Sequence, residues 1–165
     1  MGDDGRQGGL PADRQRSDHE PITIVLIEDD AGHARLIARN LQRAHVPHTL
    51  VVLQDGNRAV DYFLPPSAPP ARRTTPCVIV LDLHLPGLDG LQVLARLKHA
   101  PQTRHIPVII FSTTEDLDTI ETCYALGCNA YLTKPVDAAR FAEVLQTLGV
   151  WLSHIAIPKG TPPYT

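Results

Sequence analysis

The chain has 165 residues, of which 43% are hydrophobic and 20% charged, the balance of a globular protein with one core. Its net charge of -3 provides no basic field for nucleic acid, and no apolar run is long enough for a membrane span or a signal peptide. Three cysteines without a CxxC pair favour buried thiols in a reducing cytoplasm over disulfides or a zinc site.

Short apolar runs alternate with helical segments after a polar leader. Residues 1–20 carry almost no large apolar side chains, so a flexible leader is predicted there. One ordered domain is predicted over 21–150, followed by an apolar arm and tail over 151–165. Predicted strands cover 22–27, 49–53, 77–82, 107–112 and 130–133, and a Pro-rich loop covers 65–76.

Helical periodicity or a helix cap follows each predicted strand. The first helix is predicted over the segment from Ala34 to Ala44, and the third and fourth helices are predicted near 90–99 and 115–126. The second helix is predicted to begin after an N-cap at Asp55, and the fifth after an N-cap at Asp137. Five strands alternating with five helices predict an α/β fold, a doubly wound parallel sheet with helices on both faces. Ligands of such sheets bind outside the carboxyl ends of the strands, so the residues at those ends are candidates for a site.

The predicted strand ends carry acidic, cationic and hydroxyl side chains. Like charges about 4 Å apart repel by ~4 kcal/mol at an effective dielectric of about 20. Neighbouring carboxylates here therefore require either protonation or a cation, and oxygen ligands favour Mg²⁺. Metal, lysine and hydroxyl beside a carboxylate suit it to accept a phosphoryl group. The side chains are Glu28 and Asp29 (with Asp30, which is as readily a solvated surface acid), Asp82, Ser112 and Lys134.

The phosphoryl donor must come from another molecule, because no GxxxxGK[ST] nucleotide loop occurs in the chain. Residues 22–150 resemble the receiver domains of two-component response regulators, and the resemblance is strongest at these strand ends. The motifs that carry the resemblance are LIEDD (26–30), VLDLHLPGLDG (80–90), FSTT (111–114) and YLTKPVD (131–137). The spacing agrees as well, with 30 positions from Asp82 to Ser112 and 22 from Ser112 to Lys134. The resemblance implies a flavodoxin-like fold with strand order 2-1-3-4-5.

The same resemblance implies a role for each residue of the site. Asp82 would be the phospho-acceptor and Lys134 would contact the phosphoryl group. Mg²⁺ would be bound by Asp29, Asp82 and the backbone carbonyl of His84, with Glu28 acting through water. The remaining implied roles are a switch pair of Ser112 and Tyr131, a cis Pro135 that turns Lys134 inward, and tuning of the phosphate lifetime by His84 and Thr114.

A narrower resemblance is to the stand-alone receivers that partner with phytochrome-type histidine kinases. Shared features are the EDD start, the long loop before the acceptor strand, KPVD and the apolar extension at 149–158. An apolar extension on a monomer favours a partner. A homodimer is therefore predicted through the fourth helix, the fifth strand, the fifth helix and an arm, with packing onto the same domain as the alternative. The arm residues are Trp151, Leu152, Ile155 and Ile157.

These observations predict a single-domain response regulator that accepts a phosphoryl group from a histidine kinase and signals by protein contact. It would not be an enzyme beyond self-catalysed phosphotransfer and autodephosphorylation, and neither nucleic acid nor a membrane is an expected partner. One alternative is a binding module that acts without phosphorylation. The other is a metal-dependent aspartyl phosphatase, which His84 disfavours because it stands where such enzymes keep a second acid.

Overall fold

The computed structural model describes residues 21–65, 76–155 and 157. The predicted leader, most of the predicted Pro-rich loop and most of the predicted tail lie outside these residues. The strands are β1 (Ile22–Ile27), β2 (His48–Leu53), β3 (Cys77–Leu81), β4 (Val108–Ser112) and β5 (Ala130–Thr133). The helices are α1 (Ala31–Arg43), α2 (Gly56–Phe63), α3 (Gly90–His99), α4 (Leu117–Ala125) and α5 (Ala138–His154).

The five strands form one parallel sheet in the order β2-β1-β3-β4-β5, which confirms the predicted fold and strand order. Ile27 pairs with Leu81, so β1 and β3 end side by side. Ser112 pairs with Thr133, so β4 and β5 do the same. The register therefore brings the residues that follow each strand to a single edge of the sheet.

The central strand β3 is buried on both faces because helices cover both sides of the sheet. Ile79 and Leu81 point into a core formed with α2 and α3, whereas Val78 and Val80 point into a core formed with α1 and α5. All five residues of β3 are buried. This accounts for the continuous apolar run that leads up to Asp82.

An aspartate caps each of the five helices in the described part of the chain. Its side chain accepts a hydrogen bond from the backbone N–H three residues further on, which satisfies one of the free donors of the first turn. The predicted caps Asp55 and Asp137 are confirmed. Asp30 is the cap of α1, with His33 N–H as its donor at 2.7 Å. The caps are Asp30, Asp55, Asp89, Asp116 and Asp137.

Gly90 allows the start of α3 to lie directly against the end of β3. A Cβ at this position would lie 2.3 Å from the Asp82 carbonyl oxygen and 2.5 Å from the Leu83 Cα. The Gly90 N–H donates to the Leu83 carbonyl at 2.9 Å. A side chain here would push the loop away from the strand end, so glycine is required by space.

The three cysteines are free and buried, in agreement with the predicted buried thiols. Burial raises the pKa of the Cys128 thiol to about 11 and also raises the pKa of Cys123. The thiolate, which is the reactive form, is therefore scarce on Cys128 near neutral pH.

Helix α5 continues to His154, beyond the predicted domain boundary at residue 150. Leu152 extends the apolar stripe of α5 and is only 2% exposed, and Ile155 and Ile157 pack against the same core. Leu152 therefore packs onto the same domain, which was the stated alternative to a dimer arm, while Trp151 remains 43% exposed and its place in a dimer stays a prediction. Among the described residues no helix is long and apolar enough to cross a membrane.

Candidate functional site

Asp82 closes the buried strand β3 and is itself buried. Its backbone N–H donates to the Ile27 carbonyl at 3.0 Å, which ties it to the end of β1. One carboxylate oxygen, Oδ2, accepts from Lys134 Nζ at 2.7 Å, and the other, Oδ1, accepts from His84 N–H at 3.2 Å. A buried carboxylate is stable only when it is paired in this way. The end of β3 thus places a buried, hydrogen-bonded carboxylate at the edge of the sheet.

Lys134 supplies the counter-charge and is only 3% exposed. Its backbone N–H donates to the Ser112 carbonyl at 2.8 Å, which extends the pairing of β5 with β4. Its Nζ pairs with Glu28 Oε2 at 2.5 Å as well as with Asp82, and lies 5.6 Å from the centre of the Phe111 ring. A single ammonium group therefore joins the carboxylates that follow β1 and β3.

The prediction of a cis peptide bond before Pro135 is wrong. No peptide bond among the described residues is cis, so the bond between Lys134 and Pro135 is trans. The trans form is favoured by about 0.5–1 kcal/mol before proline. Lys134 makes both of its ion pairs with this isomer.

Three carboxylates form an acidic cluster around this lysine. Glu28, Asp29 and Asp82 each offer an oxygen, and these oxygens lie within 4.8 Å of one another. Lys134 balances one charge, so the cluster still favours a cation. Glu28 and Asp82 are buried and Asp29 is exposed, which leaves one side open to the water ligands that Mg²⁺ keeps. These residues therefore fit a hard divalent ion.

Both oxygens of Glu28 have protein partners. Oε2 pairs with Lys134, while Oε1 accepts from Asp30 N–H at 3.0 Å. Sequence reasoning missed His33, whose Nδ1 lies 3.8 Å from Glu28 Oε1 and whose ring stacks on Phe141 with centroids 5.5 Å apart. His33 lies in the first turn of α1, directly after the acidic residues 28–30, and this position could have indicated that its ring lies near the site.

A second polar cluster lies beside Asp82, on the side of β4. Ser112 is fully buried, and Tyr131 OH donates to the Thr114 carbonyl at 2.8 Å. Burial raises the pKa of the Tyr131 phenol. The role of Ser112 and Tyr131 as a switch pair stays a prediction.

The His84 side chain joins this cluster, a contact that sequence reasoning missed. Its Nδ1 lies 3.4 Å from Ser112 Oγ and its Nε2 lies 3.5 Å from Thr114 Oγ1. The available signal was position, since His84 follows β3 by three residues and Thr114 follows the adjacent β4 by two. The site thus combines a paired carboxylate, a lysine, an acidic cluster and a hydroxyl cluster.

A parallel sheet in this order, with a lysine joining the acids after β1 and β3, defines a class of signalling domain. Residues 24–146 match the family described as response regulator receiver domain, and the chain belongs to that family. Response regulator Rcp1 of Synechocystis sp. is 33% identical over 139 residues, which are 84% of this chain and 94% of Rcp1.

Solved structures extend the likeness from sequence to fold. A response regulator receiver domain from Rhodospirillum rubrum has a TM-score of 0.81 and 39% identity, over 86% of this chain and 100% of that one. The Mn²⁺-bound form of Rcp1 has a TM-score of 0.74, over 84% of this chain and 99% of that one. The phosphorylated cyanobacterial phytochrome response regulator RcpA has a TM-score of 0.72 and 32% identity, over 84% and 99%. The predicted similarity to phytochrome-associated regulators is confirmed.

Proposed function

We propose that this protein is a response regulator that accepts a phosphoryl group on Asp82 and signals by protein contact. The observation that carries the proposal is the buried Lys134, which bridges Asp82 and Glu28 at 2.7 and 2.5 Å beside the acidic cluster. A carboxylate in such a site can act as a nucleophile while the surrounding charges stabilise the transferring group.

Each residue has a defined task in this proposal. Asp82 attacks the phosphorus atom through a carboxylate oxygen, and the bond from phosphorus to the donor nitrogen or oxygen breaks. Lys134 and Ser112 donate hydrogen bonds to the phosphoryl oxygens. Asp29, Asp82 and the His84 carbonyl would hold Mg²⁺, with Glu28 acting through water. When bound, the ion neutralises negative charge on the transferring group.

The proposed donor is the phosphohistidine of a histidine kinase, and a phytochrome-type kinase is the first candidate. Support comes from RcpA, a phytochrome response regulator 32% identical to this chain, and from the match to Rcp1. The added charge of about -2 would draw Ser112 and Lys134 toward the phosphoryl group and shift the protein between two states.

Incubation with acetyl phosphate and Mg²⁺ tests the proposal directly. The expected result is one added phosphoryl group per chain, seen in the intact mass. This added mass is expected to be absent when the incubation contains EDTA in place of Mg²⁺. A binding module that acts without phosphorylation would stay unlabelled and would not bind beryllofluoride. An aspartyl phosphatase would instead turn over free phosphate esters continuously.

We also propose a homodimer through the face formed by α4, β5 and α5. Support comes from an apolar groove of about 540 Å³ between β5 and α5, which Leu132, Val144 and Trp151 help to line. Large apolar side chains are exposed on both helices of this face, including Leu117 at 72% and Tyr124 at 51%. A second copy of the chain would cover these groups.

The variant Trp151→Glu is expected to weaken this dimer by roughly tenfold or more, since a buried interface aromatic often contributes over ~1.4 kcal/mol. Sedimentation equilibrium over a micromolar concentration range measures the dissociation constant. Leu36→Glu, which alters an exposed apolar residue on α1, is the matched control and leaves the constant unchanged. Truncation after residue 150 is a poorer test because it also removes the buried Leu152. An unaltered dissociation constant for Trp151→Glu would contradict this interface.

A further inference from the structure

The His84 imidazole lies between two hydroxyl groups at the mouth of the site. Its Nδ1 faces Ser112 Oγ at 3.4 Å and its Nε2 faces Thr114 Oγ1 at 3.5 Å. The ring is 64% exposed, while Ser112 is fully buried. The ring is thus a surface group that contacts a buried hydroxyl.

The Asp82 carboxylate determines which ring nitrogen carries the proton. Nδ1 lies 3.9 Å from Asp82 Oδ1, where an N–H is attracted by the carboxylate and a lone pair is repelled. A neutral imidazole has one donor and one acceptor, so Nε2 then accepts from the Thr114 hydroxyl. A protonated ring also carries a proton on Nδ1. In both forms the ring donates to Ser112 Oγ.

This direction matters because a serine hydroxyl has only one proton. When His84 donates to Ser112 Oγ, the Ser112 proton is free to point elsewhere. It can then point toward a phosphoryl group on Asp82, since the Ser112 hydroxyl and Asp82 both lie beside the His84 ring. A chain of hydrogen bonds from Thr114 through His84 to Ser112 also strengthens the terminal donor.

We propose that His84 is a positioning residue, which orients the Ser112 hydroxyl as a donor to the phosphoryl oxygen, and that Thr114, by donating to Nε2, supports the ring tautomer that Asp82 selects. The inference rests on the proposed function and deepens it. It assigns to the His84 side chain a task separate from that of its backbone carbonyl, and it makes the effect of His84 depend on Ser112.

Amide variants of His84 distinguish this role from simple packing. The side-chain nitrogen of Asn falls near the position of Nδ1, whereas that of Gln falls near Nε2. Titration calorimetry of beryllofluoride with Mg²⁺ measures the affinity for a phosphoryl analogue. His84→Ala and His84→Gln are expected to weaken binding by roughly threefold to tenfold, the range of one neutral hydrogen bond. His84→Asn is expected to recover most of the affinity.

A double-mutant cycle provides the control. In a Ser112→Ala background, His84→Ala is expected to have no further effect, because the hydroxyl that the ring orients is gone. Thr114→Val is expected to give a smaller loss that disappears when His84→Asn is also present. Undiminished affinity of His84→Ala, or an equal loss in the Ser112→Ala background, would overturn the inference. Failure of the wild-type chain to bind beryllofluoride would instead overturn the proposed function.

Discussion

Asp82→Asn is expected to abolish phosphoryl labelling by acetyl phosphate and by a phosphorylated histidine kinase. The amide has nearly the same shape as the carboxylate, but it is a poor nucleophile and cannot form the acyl phosphate. Asp82 is the only acid that the structure places, within its described residues, against both Lys134 Nζ and His84 N–H. Intact mass after incubation with Mg²⁺ is the measurement.

Asp30→Asn is the matched control for this experiment. Asp30 is adjacent to the acidic cluster in sequence, but it caps α1 through His33 N–H. Asparagine caps helices about as well as aspartate, so the fold is retained. Labelling of this variant should equal that of the wild type. Full labelling of Asp82→Asn would place the acceptor on another residue.

Lys134→Met is expected to destabilise the protein by about 3–5 kcal/mol in EDTA, the range for breaking a buried ion pair. Removal of the ammonium group leaves the buried carboxylates of Glu28 and Asp82 without their partner. A divalent ion at the acidic cluster can replace part of the lost charge, so millimolar Mg²⁺ should recover part of the stability. Urea unfolding with and without Mg²⁺ measures both effects.

Lys98→Met provides a control with a lysine at the opposite edge of the sheet. Lys98 Nζ donates to neutral oxygens, namely the carbonyls of Ile106 at 2.7 Å and Arg104 at 3.2 Å and the side chain of Asn129 at 3.2 Å. Its removal is also destabilising, because these acceptors lose their donor. No recovery by Mg²⁺ is expected. Equal responses of the two variants to Mg²⁺ would contradict a metal-binding cluster beside Lys134.

The sequence predicted the elements whose signal is local and periodic. The buried run before Asp82 required a strand covered on both faces, and β3 is buried throughout. Because parallel strands end at one edge, the acids after β1 and the lysine after β5 were expected to meet there. The ion pairs of Lys134 with Glu28 and Asp82 agree with that expectation.

Features that depend on side-chain direction or on small energy differences were not predictable in this way. Periodicity does not determine where a loop side chain points, so the contact of His84 with Ser112 was missed. The isomer before Pro135 depends on about 1 kcal/mol, and its prediction was wrong. The end of α5 was misplaced because the apolar residues after 150 suit an arm and a further helical turn equally well.

The five aspartate caps have a consequence for how phosphate reaches this site. Helix N-termini usually attract free anions through their unpaired N–H groups and partial positive charge. Here a carboxylate already accepts from one of these N–H groups at every described helix start, so the helix N-termini are weaker sites for dissolved phosphate. Attraction of a phosphoryl group to this edge would then fall to Lys134 and to a cation at the acidic cluster rather than to a helix N-terminus, whether the donor is a protein or a small molecule such as acetyl phosphate.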